Sequence, residues 1–249
     1  MAKIGLNNFK WGILTEAGDT ATYGAIQTLG KAVSASTSIT NNSAVLYAED
    51  AIAESDNSYS SGTISLTVDD SDDTIFAPLL GHEIDSDTGE MIRNKNDVAP
   101  YVGCGRIINK MKNGTRLYKV EFLNKVKFGE PNQEENTHGE TTEFGTQQID
   151  GTIATLANGQ WSKTKTFTTH SAALAYLVQC FGQTITADTF TGDGTTAAFT
   201  LTHSPTSIFT VTINGTPTTA YSVSGTTLTF DTAPASSDKI YISYTYNAS

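Results

Sequence analysis

Apolar and polar residues alternate with a period of two over long stretches of the sequence, and this pattern restricts the fold more than any other feature. It is clearest at residues 33–40 and 63–69. Successive side chains of a β-strand point to opposite faces, so each segment predicts a strand with one polar face. We therefore expect a long hairpin from Val33 to Asp69, with a projecting, acidic and weakly structured stretch at about 48–59.

Two Asn-Gly pairs predict further hairpins, because this dipeptide favours the tight turns that match the twist of paired strands. The expected strand pairs are 101–111 with 116–128 around Asn113-Gly114, and 143–156 with 160–168 around Asn158-Gly159.

Helical signals are brief. A short helix is expected after Asp72 or Asp73, either of which can cap it, and before Gly81. An apolar stripe over 171–181, followed by Gly182, predicts the second helix.

The two ends of the chain differ from its middle. Residues 1–31 show neither the periodicity of a strand nor that of a helix. They are interpreted as an irregular arm that Trp11, Ile13 and Leu14 anchor. From Asp188 the chain is threonine-rich, with short strands separated by turn residues, which indicates a small antiparallel sandwich or barrel-like module. We predict one domain at 1–187 and an appendage at 188–249, with 183–188 as a candidate linker. The expected core of the appendage is Phe199, Leu201, Val211, Ile213, Leu228, Phe230, Ile240 and Ile242.

Composition narrows the class of protein. Thr, Ser, Gly and Asn are abundant, which predicts a mostly β fold. The formal net charge of −11 argues against a nucleic-acid binder, which needs clustered Lys and Arg. No apolar run is long enough to cross a membrane, so we expect no membrane insertion and synthesis in a cytoplasm. Cys104 and Cys180 are expected to be buried free thiols.

Motifs that carry catalysis or bind metals are weak. Asp85, Asp87, Gly89 and Glu90 resemble the start of a calcium loop, but the spacing of its later ligands is wrong. Gly103-Cys104-Gly105 lies in a predicted strand and indicates a bulge or a close backbone approach rather than a dinucleotide site. The four histidines are scattered. We therefore predict no enzyme activity, no catalytic or metal site, and no cofactor.

Charge is sorted into blocks of one sign. Residues 32–92 contain twelve Asp or Glu and no Lys or Arg, whereas residues 93–127 contain nine basic and two acidic residues. Residues 128–150 contain six acidic and no basic residues. Blocks of opposite sign on strand-forming sequence give one molecule two unlike faces that can attract each other, which points to self-assembly.

The predicted elements, in this order, resemble the major tail protein, or tail tube protein, of long-tailed phages (siphophages). The likeness covers about residues 1–182. The region after 188 resembles small β modules on phage virion proteins. The motifs that carry the likeness are the hairpin 33–69, Asp73-Thr-Ile-Phe-Ala-Pro-Leu-Leu-Gly81, Ala99-Pro100-Tyr-Val-Gly-Cys-Gly-Arg106, Tyr118-Lys-Val-Glu-Phe-Leu123 with Gly129-Glu-Pro131, and Gln147-Gln-Ile-Asp-Gly-Thr-Ile153.

The resemblance implies a fold and a function. The expected fold is a tail-tube β-sandwich or split barrel with a flanking α-helix, plus a small C-terminal all-β domain, Ig-like or similar. Six copies would close a ring, and rings would stack into a virion tail tube that conducts DNA during ejection. Expected partners are the chain itself, the tape measure, tail terminator and distal tail proteins, and DNA in transient, non-specific passage.

Candidate functional residues follow from this expectation. Residues on the polar face of the first hairpin are predicted to line the lumen: Ser36, Ser38, Thr40, Thr63, Ser65 and Thr67. Charged residues of opposite blocks are predicted to make contacts between subunits or rings: Glu49, Asp50, Glu54, Asp56, Lys110, Lys112 and Arg116.

Two other functions stay open at this point. A virion decoration protein or adhesin that binds host-surface glycans is the alternative to a tube subunit, and a glycan-active enzyme is the third. A tail-like bacteriocin would use the same subunit as a genome-delivering tail.

Overall fold

The computed structural model describes residues 2–48, 50–69, 73–131 and 146–247. Strands hold 58% of the described residues and the sheets are antiparallel, so the predicted mostly β class is confirmed. The chain divides into two compact units, which contain residues 2–23 with 27–174, and residues 24–26 with 175–247, as far as they are described.

The first unit is built on one nine-stranded sheet in the order β2-β1-β10-β11-β12-β7-β4, with β3 paired to β1 and β13 paired to β11. Two small hairpins, β5–β6 and β8–β9, and the helix α1 complete it. The elements are β1 (Ala2–Ala17), β2 (Thr20–Tyr23), β3 (Gln27–Thr28), β4 (Ala32–Asn41), β5 (Ala44–Ala48), β6 (Ala51–Asp56), β7 (Tyr59–Val68), α1 (Asp73–Leu80), β8 (Glu83–Ile84), β9 (Met91–Ile92), β10 (Val102–Lys112), β11 (Thr115–Phe128), β12 (Gln147–Ala154) and β13 (Ser162–Phe167).

The Asn113-Gly114 turn sets the register at the centre of this sheet. Both residues have positive φ, 50° and 79°, as a two-residue turn between twisted strands requires. Lys112 therefore opposes Thr115, and pairing continues along β10 and β11. The sheet curves so that its end strand β4 lies beside β1 across a cavity. The core between these layers includes Trp11, Leu66, Val126 and Ile149, and α1 adds Phe76 and Leu79.

Three sequence predictions for this unit are wrong. Residues 2–17 form the long strand β1 rather than an irregular arm, because register shifts at Lys3/Gly5 and Asn7/Lys10 interrupt the period of two. The acidic stretch after β4 is not weakly structured but forms β5 and β6. The strands beside Asn158-Gly159 do not pair with each other, since β12 and β13 each pair with a different part of β11.

The second unit is a two-sheet module. One sheet has the order β14-β20-β16-β17 and the other β15-β19-β18, and both contribute to one core, as predicted. All eight predicted core residues belong to it, with Ile213 partly buried. The candidate linker 183–188 is instead the first part of β14, where it pairs with β20. The strands are β14 (Gln183–Thr191), β15 (Ala198–Thr200), β16 (Ser207–Ile213), β17 (Thr216–Pro217), β18 (Tyr221–Ser224), β19 (Thr227–Phe230) and β20 (Lys239–Asn247).

The helices agree with their sequence signals. The first spans Asp73–Leu80 and ends at Gly81, whose φ of 79° lets His82 N–H bond the Ala77 carbonyl at 2.8 Å. Asp72, the other predicted cap, lies outside the described residues. The second helix, α2 (His170–Cys180), precedes Gly182 with a φ of 74°.

Candidate assembly surfaces

The residues predicted to line a lumen lie on one polar face of β4 and β7. Ser36 opposes Ser65, and Ser38 opposes Thr63, and directly opposed residues share a face. Four of the predicted residues are exposed and two, Ser65 and Thr67, are half-buried. The other face of β7 carries the buried residues Ile64, Leu66 and Val68. The structure thus brings the six predicted residues together on the face that is turned away from the core: Ser36, Ser38, Thr40, Thr63, Ser65 and Thr67.

Hydrogen bonds tie this polar face across the strands. Ser34 donates to Thr67 Oγ1 at 3.0 Å, and Ser65 donates to Asp150 Oδ1 on β12. Gln148 Nε2 donates to the same carboxylate at 3.2 Å. The sequences of β4, β7 and β12 contain no Lys or Arg, so the polar face of these strands presents hydroxyls, the Gln148 amide and the Asp150 carboxylate.

Cations join the same face at the next strand, β11. Lys127 opposes Thr152 of β12, and Lys125 opposes Ala154. Glu16 accepts a hydrogen bond from Lys125 Nζ, and this contact holds the pKa of the Glu16 carboxyl below its ordinary value. Both ammonium groups also lie over the ring of Tyr101, at 4.5 and 5.5 Å from its centroid.

The hairpin β5–β6 carries the acidic residues that were predicted to contact another subunit. Asp50, Glu54 and Asp56 are exposed, and Glu49 lies outside the described residues. The hairpin also exposes large apolar side chains, which the sequence analysis did not single out. Their exposed fractions are 41% for Val45, 59% for Leu46, 68% for Tyr47 and 62% for Ile52.

The predicted basic residues lie at the tip of the β10–β11 hairpin. Lys110 and Lys112 alternate on one face of β10, whereas Arg116 opposes Met111 and so lies on the other face. Lys3 of β1 opposes Lys110 and adds a further cation. Within the described part of one chain, no ion pair joins these residues to the acidic hairpin, and a contact between copies stays a prediction.

Arg106 is a charged residue of the interior that the sequence analysis missed. Its Nε and Nη2 donate to Glu121 Oε2 at 2.9 and 2.6 Å, and Nη2 also donates to Thr37 Oγ1 at 2.8 Å. Arg106 is only 6% exposed. The signal was present, because counting back from the Asn113-Gly114 turn places Arg106 directly opposite Glu121.

A second charged cluster surrounds His82. Its Nδ1 lies 2.7 Å from Asp97 Oδ2, and its Nε2 lies 2.6 Å from Glu130 Oε1. The Asn94 N–H donates to Asp97 at 2.8 Å, and this bond together with His82 lowers the pKa of the Asp97 carboxyl. The cluster fastens the segment after α1 to the end of β11. Sequence spacing gave no sign of it, because its members are far apart along the chain.

The weak motifs have structural roles. Asp85 Oδ1 accepts the N–H groups of Asp87 and Thr88 at 2.8 and 3.0 Å, and so closes the turn between β8 and β9. The close approach at Gly103 is confirmed, since a Cβ there would lie 2.3 Å from the ring of Tyr23. Cys104 and Cys180 are buried free thiols, as predicted, and burial raises the pKa of Cys104 to about 12.

The second unit has an exposed tyrosine in an open hollow. Tyr241 of β20 is 44% exposed, and its cross-strand neighbours are Thr189 and Thr212. The hollow has a volume of about 650 Å³. Tyr244 is buried and donates its hydroxyl to Asp188 at 2.7 Å, whereas Tyr246 stacks on the ring of His203.

Comparisons with known proteins do not assign the chain to a family. No protein-family model matches the chain, and a search of curated proteins also finds no match. Among the described residues, no helix combines the length and the apolar character that a membrane span requires.

Proposed function

We propose that this chain is a structural subunit that assembles into stacked hexameric rings and so forms the tail tube of a long-tailed phage or a tail-like bacteriocin. The observation that carries the proposal is the polar face of β4, β7 and β12, which lies at one end of a sheet whose last strand, β4, hydrogen-bonds only to β7 within the described residues.

The open edge of β4 supports assembly. An edge strand presents unpaired N–H and C=O groups, which are a ready template for pairing with another chain. If the sheets of six copies join edge to edge, they close into one barrel with no free edge. This arrangement requires the first unit to have the split-barrel fold of a tail tube subunit.

The chemistry of the polar face supports a conduit for DNA. Protein affinity for DNA depends on Lys and Arg that neutralise phosphates. The polar face offers hydroxyl groups around Ser36 and Ser65, and the Asp150 carboxylate, which accepts from Ser65 and Gln148. None of these groups is a cation that could neutralise a phosphate. A polyanion can therefore pass this face without strong binding.

The remaining parts of the proposal follow from the same assembly. The second unit has its own core and is proposed to be an Ig-like appendage on the outer surface of the virion tail. The proposed partners are other copies of the chain, the tape measure, tail terminator and distal tail proteins, and DNA in passage.

Negative-stain electron microscopy and sedimentation of the purified chain test the proposal. We expect rings or tubes with a uniform bore at high protein concentration. A chain that stays monomeric at every concentration and ionic strength would refute it.

The hollow around Tyr241 favours a second candidate function, which is weak glycan binding by the second unit. An exposed aromatic ring between threonine hydroxyls combines an apolar platform with hydrogen-bonding groups, as sugar surfaces require. Titration with neutral oligosaccharides, followed by NMR, should shift the signals of Tyr241 and of its strand neighbours. The matched variants are Tyr241→Ala, which should abolish the shifts, and Tyr47→Ala, which should leave them unchanged.

A further inference from the structure

A cavity of about 250 Å³ opens between β1 and β4 in the first unit. Its lining is mostly apolar, and Leu6, Val33 and Ile108 contribute to it. Two cationic side chains, Lys3 and Arg106, are also part of the lining. A cavity with apolar walls and cations in its lining suits a group that is apolar along its length and carries an acceptor at its end.

Arg106 has an unmet hydrogen-bonding group at this cavity. Glu121 and Thr37 take the hydrogens of Nε and Nη2, but Nη1 is buried and has no partner among the described residues. Buried donors without acceptors are unfavourable, so a carboxylate that reaches Nη1 would be bound by a charge-assisted hydrogen bond.

The cavity continues into a cationic strip. Residues 106, 108, 110 and 112 alternate along β10 and so share one face, which leads from the cavity to the tip of the β10–β11 hairpin. Lys110 and Lys112 lie on this face, and Lys3 opposes Lys110. Arg116 is on the other face and does not belong to the strip.

The hairpin β5–β6 has the complementary chemistry. Leu46 and Glu54 oppose each other across it, so an exposed apolar side chain and an exposed carboxylate share one face. An isolated two-stranded hairpin is at best marginally stable in water, and its large exposed apolar groups are expected to be covered.

We propose that the cavity between β1 and β4 receives the hairpin β5–β6 of a second copy of the chain. Leu46 of the incoming hairpin packs against the apolar walls, and the Glu54 carboxylate accepts from Arg106 Nη1. This inference rests on the proposed self-assembly and names the two surfaces that it joins.

The hairpin β5–β6 and the cavity lie at opposite ends of β4, so this contact can repeat from copy to copy. The cavity involves β4 at Val33–Ala35, whereas the hairpin follows the other end of the strand, after Asn41. The two are roughly 20 Å apart along β4 at 3.3 Å per residue. Each copy therefore donates at one end of the strand and accepts at the other, and such a head-to-tail contact repeats without limit or closes a ring.

Disulfide crosslinking tests the contact directly. Leu46→Cys and Val33→Cys place thiols at exposed positions, and the native cysteines are buried. The two variants, carrying different tags, are mixed under assembly conditions and oxidised. We expect a crosslinked species that contains both tags. The control pair, Leu46→Cys with Val223→Cys, should give none.

Charge removal tests the role of the carboxylate. Glu54→Gln should raise the protein concentration needed for assembly by about tenfold, which corresponds to one lost charge-assisted contact. Glu90→Gln, at an exposed position outside the hairpin, should leave that concentration unchanged, and neither variant should alter the thermal midpoint of the monomer. If the wild-type chain assembles but the mixed crosslink is missing and Glu54→Gln assembles normally, the docking inference is wrong while the tube function stands. If the wild-type chain never assembles, the proposed function itself fails.

Discussion

Gly103 lies where β10 passes directly beneath the ring of Tyr23. A Cβ at this position would come within 2.3 Å of that ring and 3.0 Å of Phe122. The ring cannot easily withdraw, because Tyr23 donates its hydroxyl to the Asn124 carbonyl at 2.9 Å and packs edge-on against Phe122. The need for glycine at this position is therefore a matter of space.

Gly103→Ala tests this packing. We expect the free energy of unfolding to fall by about 1–3 kcal/mol, the usual cost of forcing an extra methyl group into a packed core. Gly129→Ala is the matched control, since its Cβ would meet only the Asp150 carbonyl oxygen at 3.9 Å. Chemical denaturation measures both, and equal losses would contradict the steric explanation.

The cluster around His82 gives a prediction of pH dependence. The pKa of Asp97 is lowered by the Asn94 N–H and by His82, so folding favours the ionised carboxylate. Its contribution to stability is present above the ordinary pKa of 3.8 and is lost as the pH falls through the lower value of the folded state. The other charged groups at the cluster are Glu130, which contacts His82, and Arg93, whose Nε lies 4.0 Å from Glu130 Oε2.

Asp97→Asn should therefore lower the thermal midpoint at pH 6, and its effect should shrink as the pH falls below 3.8, because the contribution of the ionised carboxylate is lost over that range. Asp87→Asn, on the exposed β8–β9 turn, is the control. A stability difference between Asp97→Asn and the wild type that is independent of pH would show that the carboxylate charge is irrelevant.

At the level of elements, the polar face of β4 and β7 leads to a prediction about DNA. Ser36→Lys together with Thr63→Lys adds two cations to a face whose three strands have none. Assembled tubes of this variant should retain DNA at low salt and release it as salt is raised, because phosphate contacts are salt-dependent.

Two neutral changes at the same positions, Ser36→Asn and Thr63→Asn, provide the control and should leave DNA retention at the wild-type level. A gel-shift or filter assay on assembled tubes measures it. If the lysine variant assembles but retains no more DNA than the wild type, this face does not line the lumen.

The sequence predicts some elements well and others not at all. A strand with strict alternation, such as β4, and a turn with Asn-Gly, such as the one between β10 and β11, can be located to within a residue or two because both signals are local. The strand β1 cannot, since bulges near Gly5 and Asn8 shift the alternation that would reveal it. The pairing of β12 and β13 with β11 depends on the length of β11 and not on their own turn.

The candidate surfaces also depend partly on local pattern and partly on the fold. The common face of Ser36 and Ser65 follows from alternation, but the apolar side chains of β5–β6 remain exposed only because that hairpin leaves the sheet. The cavity at Arg106 requires the sheet to curve until β4 lies beside β1, and no local pattern encodes that curvature.

For the whole molecule, the second unit offers the clearest test. Its two sheets share one core that includes Phe199, Leu228 and Ile242, so we expect the first unit to assemble without these sheets. Truncation after Gly182 removes β14–β20 and keeps α2. Tubes of ordinary bore from this variant would support an external appendage, whereas failure to form rings in electron micrographs would show that the module belongs to the wall.

The pairing of β1 with β10 affects how the chain folds while it is being synthesised. Trp11 opposes Cys104, so the longest pairing of the first strand is with a strand made roughly 90 residues later. At about 5–20 residues per second, a ribosome needs on the order of 5–20 s to supply it. For that interval the nascent chain carries Phe9, Trp11 and Leu14, all buried in the finished fold, with only the short strands β2 and β3 to pair with β1. Slow translation between β1 and β10 should therefore lower the yield of folded protein, and nascent chains are most exposed to chaperones and proteases in this interval.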